Sequence, residues 1–84
     1  MVVTSDNIRL RIAAVRALRF IPGQKTDNII AQAMTTEPST SVRRAALLAA
    51  SYRTRKPLTE ALQQVARSDP NDDIRKEAAK LLHD

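Results

Sequence analysis

Residues 69–82 read D-P-N-D-D-I-R-K-E-A-A-K-L-L, and related stretches occur twice more in the chain. Residues 37–50 read E-P-S-T-S-V-R-R-A-A-L-L-A-A and residues 5–18 read S-D-N-I-R-L-R-I-A-A-V-R-A-L, so the register returns every 32 residues. An apolar–arginine pair marks each copy, as Leu10-Arg11, Val42-Arg43 and Ile74-Arg75. A period between about 20 and 50 residues is typical of a solenoid, in which each repeat buries its apolar face against its neighbours.

The spacing of apolar residues predicts five amphipathic helices. A longer helix that carries the repeated arginine alternates with a shorter one, in the order long, short, long, short, long. The first covers about residues 6–20 and the second about 26–34, while Pro38, Pro57 and Pro70 open the others, with Asp69 as an N-cap. Because the connections are short, successive helices should be antiparallel. We therefore predict an all-α solenoid of antiparallel helix pairs with about two and a half repeats.

Composition limits the class of protein further. The chain has 84 residues and a net charge of +5, and 43% of its residues are hydrophobic, many of them alanine. The absence of cysteine excludes disulfides and thiolate sites. With neither a transmembrane-length apolar run nor a signal-peptide pattern, we expect a cytoplasmic protein that does not bind membranes. Residues 1–84 should form a single domain with repeat units at about 5–36, 37–68 and 69–84, as a segment of a longer solenoid.

The three copies resemble HEAT repeats, and more narrowly the short HEAT-like repeats named after phycobilisome lyases, whose second helix typically reads D-P-x-x-x-V-R-x-x-A-A-x-A-L. Residues 69–82 match closely, residues 37–50 replace the aspartate by glutamate, and residues 5–18 lack both the acid and the proline. The resemblance implies that the long helices line a concave, partner-binding surface. It also implies a ladder of polar contacts between each loop acid and the arginine six residues later. The matching positions are Ser5 with Arg11, Glu37 with Arg43 and Asp69 with Arg75.

A stripe of basic residues is expected on the concave face, interrupted by Ile12 and Leu48. Its members are Arg16, Arg44, Lys76 and Lys80, and together with Leu48 they form the predicted partner surface. Mixed apolar and basic character suits an acidic or amphipathic peptide. The sequence therefore predicts a non-catalytic scaffold that binds a protein. Binding of a duplex phosphate backbone is the alternative, and an ordinary solvated face is the third possibility.

A second basic group follows the long helices, at Arg53, Arg55 and Lys56. It could form an anion-binding edge with the N-termini of the short helices, or it could simply complement the helix dipoles. Phe20 and Tyr52 occupy the same repeat position and are expected in the core. Binding of single-stranded nucleic acid is therefore disfavoured, because it needs exposed aromatic rings.

Nothing in the sequence predicts catalysis. His83, beside the C-terminus, is the one histidine of the chain and has no partner for metal binding or for activating a serine. We expect no cofactor, no metal and no catalytic residue. Because the first and last helices lack an outer neighbour, we expect their outer faces to be covered by end-to-end self-association or by adjoining repeats.

Overall fold

The computed structural model describes residues 7–53 and 56–83, and these residues form an all-α fold, as the repeat period predicts. The five α-helices of the described ranges are α1 (Ile8–Ala17), α2 (Gln24–Thr36), α3 (Thr40–Ala50), α4 (Lys56–Ser68) and α5 (Asp72–His83). A short 3-10 turn, Leu18–Phe20, continues α1. No helix in the described part of the chain combines the length and the apolar character that a membrane span requires.

The 32-residue period is visible in how α1, α3 and α5 begin. Asn7, Ser39 and Asn71 each accept a hydrogen bond from a main-chain N–H of the first helical turn. In α5 the bond from the Ile74 N–H to Asn71 Oδ1 measures 3.0 Å. Such caps satisfy N–H groups that have no partner within the helix.

These caps show that α3 and α5 begin two residues later than predicted. Pro38 and Pro70 lie just before the capping residues, so neither is in a first helical turn, whereas Pro57 is the second residue of α4. Asp69 is not the N-cap of α5. Its Oδ1 accepts the N–H of Asn71 at 2.8 Å, which leaves capping to the Asn71 side chain.

The predicted alternation of long and short helices is wrong. α2 and α4 have 13 residues each, whereas α1, α3 and α5 have 10, 11 and 12. α1 is short because it passes into the 3-10 turn at Leu18. α2 starts early because Gly23, with φ 114° and ψ 159°, reverses the chain directly before it. A residue with a Cβ is strained in that conformation.

The helices pack in two layers. α1, α3 and α5 form one layer, called here the arginine layer because it carries Arg11, Arg43 and Arg75; α2 and α4 form the other, with α2 against α3 and α4 against α5. The core between the layers includes Leu18, Ile30, Met34, Val42, Ala46, Leu58, Val65, Ile74 and Ala78, all 3% exposed or less.

Burial differs between equivalent helices of the arginine layer. Val42 in α3 is fully buried, whereas Leu10, its equivalent in α1, is 47% exposed. α3 has α1 on one side and α5 on the other, but within the described residues α1 meets only α3 in this layer. Some apolar residues of α1 therefore lie outside the core.

Candidate protein-interaction surface

A groove runs along the arginine layer between α3 and α5. Its volume is about 440 Å³, and its walls are Arg44, Leu47, Leu48, Asp73, Lys76 and Glu77. Leu48 projects into the groove region with 53% of its surface exposed, whereas Leu47, one residue earlier, is buried. The groove therefore combines an accessible apolar side chain with charges of both signs.

All five residues of the predicted partner surface are exposed on the arginine layer. The groove brings three of them together, Arg44, Leu48 and Lys76, while Arg16 and Lys80 are not among its wall residues. Arg16, Arg44 and Lys80 form no ion pair with any residue in 7–53 or 56–83.

The sequence analysis missed the acidic wall of the groove. Asp73 and Glu77 lie one helical turn apart on α5 and face the same space as Arg44. Lys76, on the same wall, has its Nζ 3.7 Å from Oδ2 of Asp72. The groove therefore carries both positive and negative charges. The predicted stripe of basic residues would have made this surface positive only.

The ladder residues form polar contacts, but in a pairing that differs from the expected one. Arg11 Nη2 lies 3.0 Å from Glu37 Oε1, and Arg43 Nε lies 2.8 Å from Asp69 Oδ2. Each acid thus receives the arginine 26 residues earlier, from the preceding repeat. Ser5, the expected partner of Arg11, lies outside the described residues.

The arginine six residues after each acid binds the main chain of its own loop. Arg43 Nη1 donates to the carbonyl oxygens of Glu37 and Pro38, both at 3.0 Å, and Arg75 Nη1 donates to that of Asp69 at 2.5 Å. Arg75 also pairs with Asp72, three residues earlier on α5. A guanidinium has five donors, so one arginine can bind the loop of its own repeat and the loop of the next repeat at the same time. The predicted pairing of one arginine with one acid did not include this double contact.

Arg53, predicted at an anion-binding edge, directs its donors at groups of the preceding repeat. Its Nε pairs with Oδ1 of Asp27, whose side chain is completely buried, and its Nη1 donates to the carbonyl oxygen of Ile21 at 2.6 Å. Nη1 also reaches the carbonyl of Leu18 at 3.3 Å, and Nη2 reaches that of Gly23 at 3.2 Å. Because these contacts occupy its donors, Arg53 acts as a structural clamp on the preceding repeat. Arg55 and the side chain of Lys56, the rest of that predicted edge, lie outside the described residues.

Phe20 and Tyr52 are not core residues. They are 74% and 70% exposed, and the guanidinium of Arg19 lies against both rings, with its Cζ 4.5 Å from the centroid of Phe20 and 5.7 Å from that of Tyr52. Both rings follow the last full turn of their helices, so they lie beyond the face that packs on the second layer. The helical period that predicted burial ends before it reaches them.

Comparison with known proteins identifies the repeat. The family model of HEAT repeats matches residues 1–83. No curated protein and no solved structure gives a significant match. The match covers almost the whole chain and agrees with the repeat period, the five helices of the described residues and their two layers. The chain therefore belongs to the HEAT-repeat family.

Proposed function

We propose that the chain is a non-catalytic scaffolding module that binds a protein partner in the groove between α3 and α5. The observation that carries this proposal is the exposure of Leu48, at 53%, between the cationic Arg44 and the wall residues of α5. An exposed large apolar side chain with a polar rim is typical of protein interfaces. HEAT repeats are generally scaffolds for protein interaction, which supports the same class of function.

The acids of the groove favour a protein over a nucleic-acid duplex. A duplex presents a uniform array of phosphates, which Asp73 and Glu77 would repel. Lys76 is also partly compensated by Asp72, at 3.7 Å. A protein segment can match both signs, with a carboxylate toward Arg44 and a cation toward Asp73 or Glu77.

The shape of the groove indicates the kind of partner. A segment with an apolar side chain every third or fourth residue could cover Leu48 while its flanks meet the charges of α3 and α5. Arg16 and Lys80, exposed outside the groove, would add long-range attraction for an acidic partner. We therefore expect an amphipathic helix whose net charge is negative.

The test compares variants in affinity purification from the source cell, followed by titration of each purified partner. Leu48→Asp should abolish binding and Arg44→Glu should weaken it, because both change the groove. Gln63→Asp and Arg67→Glu are the matched controls, since both residues are exposed on α4 in the other layer. Partners that bind as tightly to Leu48→Asp as to the unchanged chain would contradict the proposed groove.

A duplex titration separates the two function classes. A labelled random-sequence DNA duplex is titrated at about 50 and 200 mM salt and followed by fluorescence anisotropy. We expect no micromolar binding. Micromolar binding that collapses at the higher salt, and that Arg44→Glu and Lys76→Glu weaken, would replace the protein partner by a phosphate backbone.

A further inference from the structure

Two exposed aromatic rings lie at one edge of the fold, and neither belongs to a wall residue of the α3–α5 groove. Phe20 and Tyr52 occupy the same position in consecutive repeats, 32 residues apart. Both are at least 70% exposed, and Arg19 is the side chain that links them by cation–π contacts. The sequence pattern predicts that both rings are buried. Their exposure is seen only in the folded chain.

The two turns that carry the rings are joined by the clamp residue Arg53. Arg53 directly follows Tyr52, and it donates to the carbonyl oxygens of Ile21 and Gly23, in the turn that follows Phe20. The same guanidinium pairs with the fully buried Asp27. The two ring-bearing turns are therefore joined by side-chain hydrogen bonds, which makes the rings a preorganised pair.

The exposed charges in the chain segments on either side of Phe20 are positive. Arg16 lies in the last turn of α1, three residues before Arg19, and Lys25 lies in the first turn of α2. None of these three side chains forms an ion pair within the part of the chain that the structure describes. The acid of the first turn of α2, Asp27, is buried and paired with Arg53, so it does not offset their charge at the surface.

We propose that Phe20 and Tyr52, with Arg16, Arg19 and Lys25, form a binding site for single-stranded nucleic acid. Unpaired bases would stack on the free faces of the two rings, and the phosphates between them would meet the three cations. Exposed aromatic rings interleaved with basic side chains are the combination that single-strand binding requires. The stacking accepts any base, so binding is expected to have little sequence preference.

A duplex should bind this edge less well, because its bases are stacked on one another and cannot reach the rings. None of the five residues of this site is a wall residue of the α3–α5 groove. Both proposals use Arg16, but in the groove proposal it acts only by attraction at long range. Failure of either proposal therefore leaves the other standing.

The chain reports on this site directly, because Tyr52 is its one tyrosine and it has no tryptophan. The probe is an unlabelled oligothymidylate of about 20 nucleotides, titrated at about 50 mM salt while tyrosine fluorescence is recorded. Stacking should quench the emission, corrected for absorbance by the probe. A labelled copy of the oligonucleotide gives the affinity by anisotropy, and a hairpin duplex of similar charge is the comparison.

The variants separate stacking from simple charge attraction. Phe20→Ala and Tyr52→Ala should each weaken binding about tenfold, as loss of one stacked base does, while Tyr52→Phe keeps the ring and should retain the affinity. Leu10→Ala, at another exposed apolar residue, should have no effect. Lys25→Glu should weaken binding more than Arg67→Glu, which makes the same change of charge on α4.

Three results would overturn the proposal. The first is absence of binding at the lower salt. The second is equal affinity for the single strand and the duplex, with neither alanine variant changing it, since that would be charge attraction alone. The third is a purified protein partner that Phe20→Ala and Tyr52→Ala abolish while the oligonucleotide does not bind, because the rings would then be a protein contact.

Discussion

Arg43 and Asp69, 26 residues apart, are joined by two hydrogen bonds, from Nε to Oδ2 at 2.8 Å and from Nη2 to Oδ1 at 3.3 Å. Only 9% of the Arg43 side chain and 3% of the Asp69 side chain are exposed. At the other end of α3, Arg53 pairs with the buried Asp27 of the preceding repeat. Two largely buried arginine side chains, one in the first turn of α3 and one just after its last residue, therefore fix the register of consecutive repeats.

Removal of the Arg43 side chain should destabilise the chain far more than removal of its neighbour. Arg43→Ala leaves Asp69 buried without its cation, which typically costs about 3–5 kcal/mol. Arg44 is exposed, and Arg44→Ala should change the free energy of unfolding by less than about 0.5 kcal/mol. In thermal unfolding followed by circular dichroism, the first variant should melt more than about 10 °C below the second. A lower melting temperature for Arg44→Ala would mean that ladder and surface positions are assigned the wrong way round.

The Arg53–Asp27 pair should show strong coupling. Arg53→Ala removes the cation from the buried Asp27 and a donor from the carbonyl groups of Leu18, Ile21 and Gly23, whereas Asp27→Ala removes the acid from Arg53. Each variant should therefore be destabilising. The double variant should be less destabilised than the sum of the two, by about 1–3 kcal/mol. Urea unfolding of the four proteins measures this difference. Additive effects would show that the two side chains contribute independently, contrary to their contact.

Arg53→Lys is the conservative control for that pair. A lysine ammonium can meet Asp27, but it lacks the planar fork that reaches the carbonyl oxygens of Ile21 and Gly23 at the same time. We expect its stability to lie between those of the unchanged chain and Arg53→Ala. Full rescue by lysine would mean that charge alone accounts for the clamp.

Phe20 and Leu18 give a matched comparison of exposure within one 3-10 turn. Leu18 is completely buried, so Leu18→Ala should cost about 2–5 kcal/mol. Phe20 is 74% exposed, so Phe20→Ala should cost less than about 1 kcal/mol, despite the greater loss of side-chain volume. Chemical denaturation of the two variants measures the difference. If the ring of Phe20 were buried, Phe20→Ala would be the more destabilising of the two.

Substitution of Gly23 should be costly although there is room for a side chain. A Cβ built at this position meets nothing within 4 Å, but the φ of +114° is strained for any residue that has one. Gly23→Ala should therefore destabilise by about 1–3 kcal/mol. The neighbouring exposed Gln24→Ala serves as the control and should be close to neutral. A neutral Gly23→Ala in urea unfolding would show that the turn before α2 adopts another conformation.

The 32-residue period determined the helical class, the number of helices and the residues of the arginine ladder, because these depend on local spacing and on one repeated pattern. It did not determine which acid each arginine binds. Glu37 and Asp69 meet arginines 26 residues earlier because the repeats stack, and that geometry is set by α1 against α3 and α3 beside α5.

The same distinction holds for the candidate sites. Leu48 and Arg44 could be placed on an exposed face from helical periodicity alone, but the acidic wall opposite them depends on how α5 lies beside α3. Phe20 and Tyr52 read as apolar residues of amphipathic helices, yet both lie in turns beyond the packed faces. Periodicity predicts burial only while the helix continues against its neighbour; past its last turn, the tertiary structure alone decides whether a side chain meets the core or the solvent.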